Sequence, residues 1–158
     1  MACLRSILLA LPIAGLSLLA QGSSAPPAAY MSAGDISQAL ATAIAADPAA
    51  GAAVTIAPGI AVRRRTAAGE PQYAVAHPFS TEIYYVVDGS GTLVTGGALR
   101  MPLSPSTDPD VVRSKAITDG VTRKVGKGDV IVVPPGTPHW FSAIDGTISY
   151  LESRVRVK

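Results

Sequence analysis

From Val54 onward the sequence is cut into short β-branched or aromatic runs by glycine, proline, serine and aspartate. The runs lie at 54–57, 60–66, 73–77, 82–88, 92–95, 121–125, 129–133, 138–144 and 147–157. Such runs are short for helices, several alternate with a period of two, and the residues between them are the ones that break helices and make turns. Nine short strands at this spacing suggest a sandwich or barrel and argue against an all-helical bundle. The 15 glycines and 13 prolines of the 158-residue chain fall mostly in this region, as that reading requires. Residues 96–120 are rich in Pro, Ser and Asp with little periodicity, so most of that stretch is expected to be a long loop, the kind that serves as a lid or binding element. Gly89-Ser90-Gly91 and Gly96-Gly97 are expected at turns between strands. No helix is expected after either, so neither is a phosphate cradle.

The first part of the chain is built differently, with 21 of the 26 alanines within residues 1–68. Arg5 precedes 14 uncharged residues, 7–20, an arrangement expected of a secretory signal peptide over residues 1–22 with cleavage near Gly22. Fourteen residues fall short of the roughly 20 that a membrane span needs, so no stable membrane insertion is expected after cleavage, and the mature protein is expected in the periplasm or outside the cell. Residues 23–50 are expected to form a spacer and an Ala-rich helix. Ser32 or Asp35 would cap that helix, Ile36, Leu40, Ala43 and Ile44 would form its apolar stripe, and Asp47-Pro48 would stop it. Residues 51–158 would then be one β-barrel domain. Cys3 is the only cysteine, which excludes an intramolecular disulfide and a cysteine-based metal cluster. A formal charge of +2, with no basic block longer than Arg63-Arg64-Arg65, gives no reason to expect a nucleic-acid partner.

Chemistry concentrates around the two histidines, His77 and His139, each at the junction of an expected strand and a proline-containing turn. Glu82 opens the strand after His77, and a tight turn through residues 78–81 would set both side chains on neighbouring antiparallel strands. With His139 as a third ligand, two imidazoles and a carboxylate suit a divalent first-row metal and leave coordination positions open. The alternative is ordinary hydrogen-bonded His and Glu residues.

This stretch resembles the cupin family. His77, four residues, Glu82, six residues and Gly89 match the second histidine, glutamate and glycine of that family's first motif. Gly128, five residues, Pro134, four residues and His139 match its second motif, so the likeness covers about residues 60–155. The resemblance implies an all-β fold, a double-stranded β-helix or jelly-roll barrel, here preceded by a short helix. It implies a divalent metal ion (Fe, Zn, Mn or Ni) held by His77, Glu82 and His139, and a homodimer, to which alternating Val155 and Val157 could add an edge strand. Val75 stands where the motif has another histidine, and Ala143 stands where an asparagine often closes the second motif.

Two-residue periodicity sets Tyr73 and Val75 on the His77 face, Tyr84 and Val86 on the Glu82 face, and Phe141 on the His139 face. Together they would line a substrate pocket for a small-molecule ligand, with Tyr84 the candidate catalytic group that orients substrate or donates a proton. Tyr85 would face the other way, as packing. Trp140 should face away from the metal, and Arg63 and Arg65 share one strand face. A solvated edge is the default for those arginines; turned inward, either would select a carboxylate or other anion. The leading reading is an exported metal-binding cupin acting on a small organic molecule by oxygenase, lyase or isomerase chemistry. The alternative is a non-catalytic sugar- or small-molecule-binding barrel without metal.

Overall fold

A computed structural model describes residues 25–48, 51–67 and 73–157. The expected signal peptide and its cleavage point lie outside the described residues. Helix α1 (Ala33–Ala46) begins where the Ser32 hydroxyl accepts from the Asp35 backbone N–H at 3.1 Å and donates to the Asp35 carboxylate at 2.6 Å. Those bonds satisfy one of the free N-terminal amides and place a negative charge at the positive end of the helix dipole. Only Leu40 of the helix is fully buried, which contributes about 1.5–3 kcal/mol. Its neighbour in space is the first strand, β1 (Ala52–Ala57).

The remaining strands are β2 (Ile60–Thr66), β3 (Ala74–Ala76), β4 (Ser80–Thr95), β5 (Ala98–Leu99), β6 (Val112–Ser114), β7 (Ile117–Thr118), β8 (Val121–Gly126), β9 (Val130–Val133) and β10 (His139–Arg156). Every pairing is antiparallel. Two long strands organise the rest, because β4 and β10 pair from His139 opposite Thr95 to Arg156 opposite Ser80. The second half of β10 lies between β2 and the first half of β4, while its start pairs both β3 and the end of β4. Strand β9 adds to the first half of β4 and β8 to the second. The result is the expected all-β jelly-roll barrel with one short helix. Its core is Tyr84, Val86, Leu93, Val125, Val133, Phe141, Ile148 and Tyr150.

One expectation about connections is corrected. Gly89-Ser90-Gly91 and Asp145-Gly146 are not turns between separate strands; they are irregular points inside β4 and β10, with register shifts between Phe141 and Ala143 and between Ile144 and Ile148. A bulge lets one strand bend without ending, so the glycines serve the close crossing of two strands. The segment 96–120 is mostly loop, as expected, but it carries three very short strands: β5 pairs with β7, and β6 pairs with β3. Strands of two or three residues are too short to show a period.

Gly89 is the tightest of these points. Its φ is +74°, and a Cβ there would lie 2.0 Å from the Thr147 carbonyl oxygen. Gly96 has a similar φ of +77° with nothing within 4 Å of the same position. Gly89→Ala is therefore expected to cost on the order of 3 kcal/mol or more, and Gly96→Ala only about 1 kcal/mol, in urea unfolding.

Candidate functional site

Strand β4 alternates strictly at its start, with Ser80, Glu82, Tyr84 and Val86 buried and Ile83, Tyr85 and Val87 exposed. Glu82 is 1% exposed, and such a carboxylate costs several kcal/mol to bury unless its oxygens are satisfied. Here they are. Oε1 accepts from Arg154 Nε at 2.7 Å and lies 2.7 Å from Arg154 Nη2; Oε2 accepts from the Tyr84 hydroxyl at 2.5 Å. His139 Nε2 lies 2.9 Å from Oε2 and His77 Nε2 3.3 Å from Oε1.

The histidines are oriented from behind. His77 Nδ1 donates to the Asp110 carbonyl at 2.6 Å, and His139 Nδ1 donates to the Thr137 carbonyl at 3.0 Å. A carbonyl oxygen can only accept, so each Nδ1 carries a proton and each ring turns its Nε2 toward the centre. The turn that delivers His139 is fastened to the other histidine, since the Gly136 N–H donates to the His77 carbonyl at 2.8 Å. Asp110, within the stretch expected to be loop, accepts from the Phe79 N–H at 2.7 Å and from the Ser80 hydroxyl at 2.5 Å. Segment 96–120 thus supports the His77 ring from behind.

A ring nitrogen this close to a carboxylate oxygen is repelled unless a proton or a metal cation lies between them. His139 Nε2 is buried with no well-directed hydrogen bond despite its short distance to Oε2. One donor atom each from His77, Glu82 and His139 lies within 4.8 Å of the others. This donor set, with imidazoles held as a metal ligand's would be, fits a divalent first-row ion.

Electrostatics separate the groups. Burial raises the Glu82 carboxyl, but the close approach of the His139 ring, the Tyr84 hydrogen bond and the nearby His77 outweigh it and hold it well below its usual range. Burial lowers the His77 imidazole, with Arg154 adding and Glu82 opposing. Burial and then the Glu82 charge push the Tyr84 phenol well above its ordinary value, so its proton stays on the ring oxygen.

The site opens on a cavity of about 160 Å³ whose lining includes Tyr73, Val75, Tyr84 and Phe141 beside the three central residues. Val75 pairs directly with His139 across β3 and β10. Val86 is not part of this wall: it is fully buried in the core, beyond the packed rings of Tyr84, Phe141 and Tyr150. Trp140 belongs to the lining, not to a remote face. Arg63 and Arg65 also line the cavity and do not form a solvated edge. The cause is pairing: Arg63 grips Glu152 in a fork at 2.6 and 3.0 Å, and Arg65 donates to the Tyr150 hydroxyl at 2.8 Å. A larger cavity of about 350 Å³ elsewhere is lined by residues such as Leu93, Val125 and Ile131 and has no histidine or carboxylate in its wall.

Arg154, Glu152 and Tyr150 are the site residues that sequence reasoning missed. Their period of two along β10 was the available signal, but the apolar Val155 and Val157 drew the reading, and these are 52% and 45% exposed.

The family model described as Cupin matches residues 58–151. No curated protein matches the sequence. Among solved structures, the chain is similar to the DMSP lyase DddQ from Ruegeria pomeroyi, at 21% identity over 63% of this chain and 38% of that one, TM-score 0.41. It is similar to a putative sugar phosphate isomerase from Acidithiobacillus ferrooxidans, at 17% identity over 70% and 62% of the two chains, TM-score 0.48. A cupin protein from Bacteroides fragilis gives 21% identity over 67% and 77%, TM-score 0.44. The chain spans less than two thirds of the length of the lyase and the isomerase.

Asp110 provides a pH test of how the histidine support is held. Burial raises its carboxyl, and the bonds from Ser80 and Phe79 overcome this and hold it below its ordinary value. The unfolded chain therefore takes up the proton at higher pH than the folded one. The stability involved is complete above the ordinary aspartate range and is lost as pH falls through the lower folded value. Asp110→Asn is expected to cost about 2 kcal/mol at neutral pH and to flatten the acid side of the stability profile, read by melting between neutral pH and about pH 3.

Proposed function

The chain belongs to the cupin family, and we propose that it is an exported cupin that binds a divalent metal through His77, Glu82 and His139 and acts on a small organic molecule. One observation carries this reading: two imidazole Nε2 atoms, each with Nδ1 bonded to a backbone carbonyl, converge on a carboxylate that is 1% exposed. The bound ion would supply Lewis-acid chemistry if zinc, manganese or nickel, and oxygen chemistry if iron. Oxygenase, lyase and isomerase reactions all remain within this proposal.

The chain's own residues have separable parts in it. Tyr84 is a hydrogen-bond donor that orients Glu82, and its retained proton makes it the candidate group for positioning substrate at its hydroxyl. Val75, Tyr73 and Phe141 give the cavity an apolar side that favours a carbon skeleton over water. The uncharged run at 7–20 supports export, with the mature chain starting near residue 23 in the periplasm or outside the cell. Val155 in β10 and Val157 just past its end are exposed apolar side chains that support a homodimer through that face.

A second reading has its own observation. Arg154 already neutralises Glu82, and Val75 stands opposite His139, an arrangement that suits a metal-free barrel holding a small ligand without reaction.

Elemental analysis of the untagged protein from a periplasmic fraction separates the two. Near-stoichiometric divalent metal is expected in the wild type, absent from a His77→Ala/His139→Ala double variant that still folds. A wild type that is empty and also ignores added iron, zinc, manganese and nickel would sink the metal reading and favour the ligand-holding barrel.

A further inference from the structure

Arg154 stands directly opposite Glu82 in the β4–β10 ladder. Its Nε donates to Oε1 at 2.7 Å, and its Nη2 donates to His77 Nε2 at 3.1 Å. The guanidinium therefore holds donor atoms of two of the three residues that a metal ion would take. Glu82 cannot give its full charge to both cations at once. Glu152, 3.9 Å from Arg154, is already engaged by Arg63 in a two-point pair, and the Asp110 carboxylate is held by Ser80 and the Phe79 N–H.

Charge balance adds a second constraint. The lining carries Arg63, Arg65 and Arg154 against Glu82 and Glu152, so a divalent ion added among them leaves a surplus of positive charge in a partly desolvated cavity. Such a surplus is costly until an anion enters. The Arg154 side chain is 27% exposed, against 1% for Glu82, so it reaches the open side of the cavity where a ligand would lie. The edge it presents now binds a carboxylate, and a carboxylate matches that geometry best. The cavity volume of about 160 Å³ sets the size. A void of roughly 150 Å³ accepts a benzene ring, so the ligand is a single ring or a short chain.

We propose that the ligand of this cavity is a small organic carboxylate whose anionic group is taken by Arg154 when a divalent ion claims Glu82, so that ion and carboxylate bind as a linked pair. This rests on the metal reading of the site and names the substrate class for it. Arg154 acts as an internal cation that keeps Glu82 neutralised in the ion-free cavity and selects an anionic partner in the loaded one.

Calorimetric titration of the metal-free full chain with Mn²⁺ and Ni²⁺ in turn, with and without benzoate, tests it. Benzoate is expected to bind about tenfold or more tightly in the presence of the ion than in its absence, and by linkage to tighten the ion by the same factor. Benzamide, its neutral counterpart, should show no such gain. Arg154→Gln is expected to bind the ion alone about tenfold more tightly, because a competitor for Glu82 is gone, and to lose the benzoate gain. Arg154→Lys keeps the charge but not the fork, and should retain a reduced gain; it decides the matter should circular dichroism show the glutamine variant unfolded. Ion binding with a benzoate gain that persists in Arg154→Gln, or that is undiminished in Arg154→Lys, overturns the proposal and leaves the metal reading standing. So does an equal gain with benzamide or with inorganic phosphate. Failure of wild type and variant alike to bind either ion overturns both.

Discussion

A carboxylate buried at the centre of the barrel governs the inner wall. Glu82 is almost wholly buried, and an ionised carboxylate in that position is tolerable only when its lone pairs are met by donors or positive charge. Arg154 meets one oxygen, Tyr84 the other, and the two imidazoles stand against both. The consequence spreads along β10, where Tyr150, Glu152 and Arg154 succeed one another at the two-residue period. Each finds its partner on a neighbouring strand: Glu152 with Arg63 on β2, Tyr150 with Arg65 on β2, Arg154 with Glu82 on β4. The interior of this half of the barrel is therefore a paired polar array above an aromatic floor, with the apolar core beyond it.

That array depends on the two long strands remaining continuous. Cross-strand opposition of Arg154 and Glu82 is a matter of register, and a one-residue slip of either strand would turn its member of the pair to the other face. Register is held by pairing on both sides of the irregular points in β4 and β10, where Gly89 permits a contact no other residue could make. The histidines arrive by different routes. His139 starts β10 from a turn fastened to the His77 carbonyl, and His77 directly follows β3 with its ring held from behind by the Asp110 carbonyl. Local chain direction and hydrogen bonding to the outer nitrogens thus fix both rings before any ligand enters, which lowers the entropy lost on binding.

Much of this was legible in residue order and spacing. The alternating run that starts β4 predicted a strand with Glu82 and Tyr84 inward, and the motif spacings around His77, Glu82 and His139 pointed to the cupin barrel. Turn chemistry was less legible. Gly89 and Gly146 read as ends of strands, because a glycine at a turn and a glycine at a bulge carry the same local signal. The arginines at 63 and 65 read as a solvated edge, because a charged side chain on a strand usually faces water. Asp110 lay in a stretch with no period at all, and nothing local tied it to a residue more than thirty positions away.

By itself the sequence determined which residues alternate, where strands can bend, and which few side chains could hold a metal or carry a charge. Those depend on backbone sterics and side-chain chemistry, which are properties of neighbouring residues. Only the tertiary structure decided that Arg154 lies across from Glu82, that Arg63 and Glu152 meet inside, and that the Asp110 carbonyl backs the His77 ring. Each joins segments far apart in the chain. Whether a charge faces water or the interior is set by the partner that the fold brings to it, because the desolvation of one ion is offset only by another group within a few ångströms.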